Sequence, residues 1–466
     1  MNICFIAEGS YPYVLGGVSA WIQLLITSMP ELDFSIITIG ASSDQKGCFR
    51  YQIPKNVTNV VETFIDFQDE SGHRWGKRLH LAAKSKNALK DLISGKDCDW
   101  DSIFELVINR KCNIATLLLS KDFFDIVEDI SEKNFFYVPF TEFYWNIRSM
   151  MMPLFQIIKT AIPQADIYHS VSTGYAGILG AMIKYRTGQP YVLTEHGLYS
   201  REREEEIIKS ASVKNYNKDM WIDFFYALSR KAYMSADEVI TLFSKNKEIE
   251  IEIGCPKDKI RIIPNGVDLM DYKIADDSHG DAVNIGAIVR VVPIKDIATL
   301  LYSFAYVKEK NPNVKLFIMG PTDEDGDYYN ECVHLADNMA IKDVTFTGIV
   351  RIADWIGKMD IIVLTSISEG QPFAILEAMA ARKPCVTTDV GSCREMIEGY
   401  CEGIASAGIV CPVMDHEGIG KGLYKLSINK ELRDRMGDAG YKRVKNAYTR
   451  NQMVDRYRDL YRSLGG

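Results

Sequence analysis

The feature that most constrains this chain is the regular alternation, in its C-terminal half, of short apolar runs with single helical patterns. Strand-like runs stand at Asn284–Val289, Lys315–Met319, Val344–Thr347, Asp360–Leu364 and Pro384–Thr388. Between them the apolar spacing predicts helices over Ile297–Lys310, Tyr328–Met339, Ile352–Lys358 and Pro372–Ala381. Parallel neighbours need a long crossover, so this alternation implies a parallel sheet with helices on both faces. Such doubly wound domains gather ligands in the loops beyond the carboxyl ends of their strands.

The N-terminal half opens in the same way, with a strand at Asn2–Ala7, a loop containing Gly16-Gly17, a helix over Val18–Ser28 and a strand at Phe34–Ile39. Further strand-like runs follow at Ala165–Ser170, Pro190–Thr194, Glu238–Leu242 and Lys259–Ile263, after a long helical insertion over about 67–163. A chain of 466 residues exceeds what one core supports. The polar stretch at 276–281 is the best boundary, dividing the chain into a first domain over 1–275, a second over 276–450 and a C-terminal helix over 451–466 that is expected to return to the first domain. Two Rossmann-like domains would then face each other across a cleft, with the site built from loops of both.

Composition excludes several functions. A net charge of −8 argues against a nucleic-acid partner, and no run approaches the length of a membrane span. The opening residues, Met1 to Glu8, lack the basic start of a secretory signal and read as a buried strand. Ten cysteines are scattered without a C-x2-C pair, Cys112 and Cys401 among them. That pattern speaks against zinc and thioredoxin chemistry and fits a reducing cytoplasm, with Cys4 and Cys385 as core residues. Asp323–Asp327 resembles a calcium loop, but Tyr328 and His334 fill the places of the turn glycine and the final acid. No metal or other cofactor is expected.

The segment Glu369-Gly-Gln-Pro-Phe-Ala-Ile-Leu-Glu377 follows an apolar run and opens a helix at Pro372, where the missing N–H costs nothing. Exposed backbone N–H groups and the positive end of the helix dipole make a seat for phosphate. A carboxylate on each side suits the hydroxyls of sugars attached to that phosphate, hence a nucleotide sugar. Taken alone, two acids near a helix start only favour the dipole. Arg290 and Lys295, in the loop after the first strand of this half, would reach the same sheet edge. Together they can neutralise a diphosphate and stabilise it as leaving group; each alone is an ordinary solvated cation.

These segments, in this order, resemble the GT-B fold retaining glycosyltransferases of family GT4. The markers are Gly16-Gly17-Val18, Thr194-Glu-His-Gly197, Pro264-Asn-Gly-Val-Asp268, Arg290 with Lys295, and Glu369 through Glu377. Glu195 to Glu204, Gly320 to Asp325 and Phe143-Tyr-Trp-Asn146 are similar to the PelF-type enzymes of pellicle polysaccharide synthesis. The resemblance implies that Glu377 bonds ribose, that Glu369 bonds the donor sugar, and that N–H groups of Gly370, Gln371 and Phe373 line the phosphate and sugar pocket. It also sets the base against the backbone near Val350. Gly16 and Gly17 bring backbone close to the ligand, though a tight strand-to-helix turn would use them equally. His196 stands beside the donor sugar on this resemblance, where a lone histidine is otherwise a structural residue. Arg201 is a candidate acceptor contact, or part of a solvated helix start.

The implied activity is hexosyl transfer from a UDP-sugar, UDP-glucose or UDP-HexNAc in type, to a carbohydrate acceptor, with retention and in exopolysaccharide synthesis. The resemblance further implies a cytoplasmic enzyme at the inner membrane beside a polysaccharide export complex. A basic stretch, Arg74, Lys77, Arg78, Lys84, Lys86 and Lys90, with Trp75, Leu79 and Leu89, suits either an anionic membrane or, preferably, a solvated helix face. The aromatics Phe135 to Trp145 are mostly core, with some able to stack on a sugar. A UDP-sugar 2-epimerase and a non-catalytic nucleotide-sugar sensor are the alternative readings.

Overall fold

A computed structural model describes residues 1–66, 76–109, 113–210, 214–272, 282–399 and 403–465, with the backbone alone at 215 and 216. The expected boundary at 276–281, Arg74, Trp75, Cys112 and Cys401 lie outside the described residues. The chain divides into two compact units. The first takes Met1–Thr241, Lys247–Arg261 and Arg458–Gly466; the second takes Leu242–Asn246 and Ile262–Tyr457.

The first unit is built on strands β1 (Asn2–Glu8), β2 (Asp33–Gly40), β3 (Val57–Phe64), β4 (Ile167–Ser170), β5 (Tyr191–Glu195), β6 (Glu238–Thr241) and β7 (Ile260–Ile262). Their order is β3-β2-β1-β4-β5-β6-β7, and β1 pairs in parallel with both β2 and β4. The second unit holds β8 (Val283–Ile288), β9 (Val314–Met319), β10 (Val344–Gly348), β11 (Ile361–Leu364), β12 (Cys385–Thr388) and β13 (Gly408–Cys411), in the order β10-β9-β8-β11-β12-β13. There β8 lies in parallel between β9 and β11. Both orders are those of a doubly wound Rossmann-like sheet, with the direction of winding reversing at β1/β4 and at β8/β11. Central strands such as Ile3–Ala7 and Ile361–Leu364 are apolar on both faces and fully buried, as a sheet covered by helices on both sides requires.

Two strands escape the sequence reading, and both are edges. β3 is partly exposed along its length and carries Asn59 and Glu62 among its valines. β13 has only four residues. β3 lacks the continuous apolar run that marks a central strand, and β13, though apolar, is opened by Gly408 and closed by Pro412, residues that read as turn signals.

The insertion forms helices Ala83–Ile93, Trp100–Asn109, Ile114–Leu118, Lys121–Asn134 and Phe140–Ile158, whose apolar faces share one core with β1 and β2. Among the aromatics, Phe143 and Tyr144 are buried, whereas Phe136 is 80% exposed. The basic row meets acids: Arg78 pairs with Asp125, Lys84 with Glu105, Lys86 with Asp122 and Lys90 with Asp129. That is the solvated, ion-paired face rather than a free cationic surface. Among the described residues no helix is long and apolar enough to cross a membrane.

Asp122 anchors this insertion. Its carboxylate accepts N–H bonds from Leu79 at 2.7 Å, His80 at 3.2 Å and Leu81 at 3.3 Å, and Lys86 lies 3.0 Å away. Burial alone would raise its pKa, but Lys86 and these N–H groups outweigh it and hold the carboxyl down at about 2. The stabilisation is therefore complete above the unfolded carboxylate pKa of about 4 and lost as pH falls toward 2. Asp122→Ala is expected to destabilise the fold by about 3 kcal/mol at neutral pH. Urea denaturation at pH 7 and pH 3 should show that difference shrinking in acid.

Candidate active site

In the second unit, the loops after β8 and β11 are tied together beyond the carboxyl ends of their strands. Thr365 Oγ1 lies 3.0 Å from the Lys295 carbonyl and 3.1 Å from that of Asp296, and Ile367 N donates to the Ile294 carbonyl at 2.9 Å. Pro293–Lys295 forms a single 3-10 turn, and Asp296, at φ +47°, caps the helix Ile297–Lys310 through Thr299 N. These restraints deliver Lys295 onto Glu369. Its Nζ lies 2.5 Å from Glu369 Oε1, with the two side chains only 14% and 12% exposed.

Ser366 Oγ donates to the same Oε1 at 2.6 Å. Both bonds thus fall on one oxygen of Glu369, leaving Oε2 for another donor. Farther along, Pro372 precedes the helix Phe373–Ala380, and Tyr272 OH donates to Glu377 Oε1 at 3.0 Å. Burial raises the Glu377 carboxyl to about 7, and the tyrosine bond pulls the other way. Between the two acids, the N–H groups of Gly370, Gln371 and Phe373 donate to no described residue. They remain open to an acceptor at a helix start.

The Glu369–Gly370 turn rests on Gly391. Ser392 N donates to the Gly370 carbonyl at 3.0 Å, and a Cβ on Gly391 would stand 2.1 Å from that oxygen. Gln371 is fixed separately, its Oε1 accepting from Asn265 N at 2.6 Å.

Other expected residues lie elsewhere. Arg290 is more than half exposed and pairs with Glu324 at 2.6 Å rather than with the Glu369 loop. Val350, partly buried, follows β10 and packs on the unit's core. In the first unit, Gly16 has an extended backbone and Gly17 begins the helix Gly17–Ser28; a Cβ on either would meet nothing within 4 Å. The fold itself therefore does not demand glycine there. His196 packs edge-on against Trp21, ring centres 4.6 Å apart. Its Nε2 is shielded from solvent without a hydrogen-bond partner, and burial lowers its pKa to about 4, so it is neutral at pH 7. Arg201 lies 3.9 Å from Glu252 at the surface.

Sequence reading missed Tyr272, Thr365, Ser366 and Gly391. Gly391 carried a signal, since it follows a strand as Gly-Ser; the others are ordinary residue types whose role depends on which loop they meet. Among the described residues no group of His, Cys, Asp or Glu side chains converges as a metal site would.

The chain belongs to the family described as "Domain of unknown function (DUF3492)", matched over residues 1–258. Residues 278–443 match "Glycosyl transferases group 1". It is similar to the Escherichia coli UDP-Gal:alpha-D-GlcNAc-diphosphoundecaprenol alpha-1,3-galactosyltransferase, at 26% identity over 80% of this chain and 95% of the relative. It is also similar to the Staphylococcus aureus capsular polysaccharide biosynthesis glycosyltransferase CapM, at 22% identity over 67% and 82% of the two chains. Among solved structures, sucrose-phosphate synthase from Thermosynechococcus elongatus superposes with a TM-score of 0.63 at 15% identity, covering 99% of this chain and 98% of that one. The Anabaena protein HepE, in complex with UDP and glucose, superposes with a TM-score of 0.62 at 14% identity over the whole of both chains. These structural likenesses speak to the fold. With the sequence matches, they make the protein a glycosyltransferase of the GT-B fold related to family GT4.

Gly391→Ala is expected to lower the unfolding free energy by about 2 kcal/mol, from its φ of +52° and the collision with the Gly370 carbonyl. Gly326→Ala, where a Cβ meets nothing, should stay within about 0.5 kcal/mol of the parent. Urea denaturation of the two variants checks both.

Proposed function

We propose that this protein is a retaining hexosyltransferase that uses a UDP-sugar and a carbohydrate acceptor in exopolysaccharide synthesis. The observation that carries this reading is the near-buried Lys295–Glu369 pair beside open backbone N–H groups at the start of Phe373–Ala380. A buried charge pair is tolerated because each partner neutralises the other. A diphosphate entering this loop competes with Glu369 for the Lys295 ammonium, which then neutralises the charge that grows as the sugar–phosphate bond breaks. Glu369, tethered through Oε1, offers Oε2 to a donor-sugar hydroxyl. Glu377 offers its free oxygen to ribose in the same way.

The E. coli relative's name includes a UDP-sugar donor and HepE holds UDP and glucose, which supports the uridine donor. CapM's role in capsular polysaccharide supports the product class, and the resemblance of several segments to PelF-type enzymes supports pellicle-type polymers within it. On this reading His196, neutral, is a hydrogen-bonding partner of the donor sugar, Gly16 and Gly17 admit ligand to the backbone, and Val350 lies toward the base. Arg290 would have to leave Glu324 to reach the diphosphate, and Arg201 would have to leave Glu252 to reach an acceptor. The reaction would take place in the cytoplasm, beside a membrane export complex.

Calorimetric titration with UDP, ADP and GDP in the presence of EDTA tests the donor class, with selective UDP binding expected. Lys295→Ala should lower turnover by about 100-fold or more, whereas Glu377→Ala should weaken UDP binding by roughly tenfold. Unchanged kinetics and binding in both variants would exclude this site. Conversion of a UDP-sugar without an acceptor would favour the 2-epimerase, and nucleotide binding without turnover would favour a sensor.

A further inference from the structure

Residues 264–272 form a strap within the second unit, fastened along its length. Val267 N donates to the Tyr448 carbonyl at 3.0 Å, and Arg450 N returns a bond to the Val267 carbonyl at 2.9 Å. The strap lies so close to this segment that a Cβ on Gly266 would stand 2.3 Å from the Thr449 carbonyl. The Arg450 guanidinium then bridges Asp268 at 3.3 Å and Asp271 at 3.0 Å. Asp268 also caps the short turn Leu269–Asp271 through Met270 N. That turn ends at Tyr272, whose hydroxyl reaches Glu377 Oε1 at 3.0 Å. At its other end the strap holds Gln371 through Asn265 N.

One strap therefore grips the loop between Glu369 and Glu377 at two points, and its only side-chain hydrogen bond to a carboxylate of the site is the tyrosine's. A phenyl ring would fill the same wall without that bond. We propose that Tyr272 is a positioning residue for nucleotide recognition: its hydroxyl holds Glu377 by Oε1 so that Oε2 is presented to the vicinal hydroxyls of a ribose. This rests on the reading of Glu377 as the ribose-binding carboxylate. Asp271 and Arg450 are the charged groups that act on the Tyr272 hydroxyl besides Glu377, while Tyr272 is the hydrogen-bonding side chain that acts on Glu377. Losing its bond moves the carboxyl further above its ordinary range, so the defect is larger at pH 7 than at pH 9.

The test is Tyr272→Phe, titrated calorimetrically with UDP and with 2′,3′-dideoxy-UDP at pH 7 and pH 9, beside the unaltered chain. The expected result is a roughly tenfold weaker UDP affinity at pH 7, a narrower gap at pH 9, and equal affinities of the two proteins for the dideoxy nucleotide. Equal UDP affinity in variant and parent overturns the proposal. So does an equal loss for UDP and dideoxy-UDP, which marks a packing role alone. If the parent binds UDP and dideoxy-UDP equally, Glu377 does not read ribose. If it binds no UDP at all, the donor reading fails and the role of Tyr272 falls with it.

Discussion

The Thr365 hydroxyl and the Ile367 amide, bonded to the backbone of Ile294, Lys295 and Asp296, are the contacts on which the candidate site depends. They join loops some 70 residues apart in sequence, possible only because β8 and β11 are neighbours where the winding of the sheet reverses. Without them Lys295 would be a solvated loop cation. With them it is held against Glu369, and Ser366 adds a second donor to the same carboxylate oxygen. The cost of removing two charges from water is offset by their mutual neutralisation. The pair is thereby ready to exchange one anionic partner for another.

Glu369 and Glu377 share a common design. Each is restrained through Oε1, by Lys295 and Ser366 in one case and Tyr272 in the other, and each keeps Oε2 for a ligand. Gly391 beneath the first acid and the strap beside the second fix the backbone between them. Rigid support of this kind is what a site needs to hold a ligand at hydrogen-bond distance without reordering.

Carboxylates in the first unit do different work. Glu8, at the end of β1, accepts from Tyr199 OH at 2.7 Å and Ala176 N at 3.0 Å. Glu195, one residue before His196, is fully buried and accepts from Tyr199 N at 3.0 Å, from Thr173 and from Tyr233. Burial raises the pKa of both acids, and the hydroxyl and amide donors oppose it. Tyr199 thus ties the loop after β5 to the end of β1. The Thr194–Gly197 segment holds its own loop in place while presenting His196 beside Trp21.

The architecture was legible in the sequence because central parallel strands, buried on both faces, must be continuously apolar. The edges β3 and β13 were not legible, since β3 is half-exposed with Asn59 and Glu62 among its valines, and β13 is an apolar run framed by Gly408 and Pro412 as a turn would be. The residue types of the candidate site, a lysine in one strand-end loop and two acids around a helix start, could likewise be read from the chain. Their partners could not. Arg290 resembles Lys295 in sequence, yet Glu324 holds one and Glu369 the other. Tyr272, Ser366 and Thr365 acquire meaning only through what they touch. Periodicity along the chain determined which segments become strands and helices, because burial of one face or two is a local demand on residue type. Which loop meets which, and hence which charge is paired, was decided only in the tertiary structure, because those contacts depend on the order of strands across the sheet.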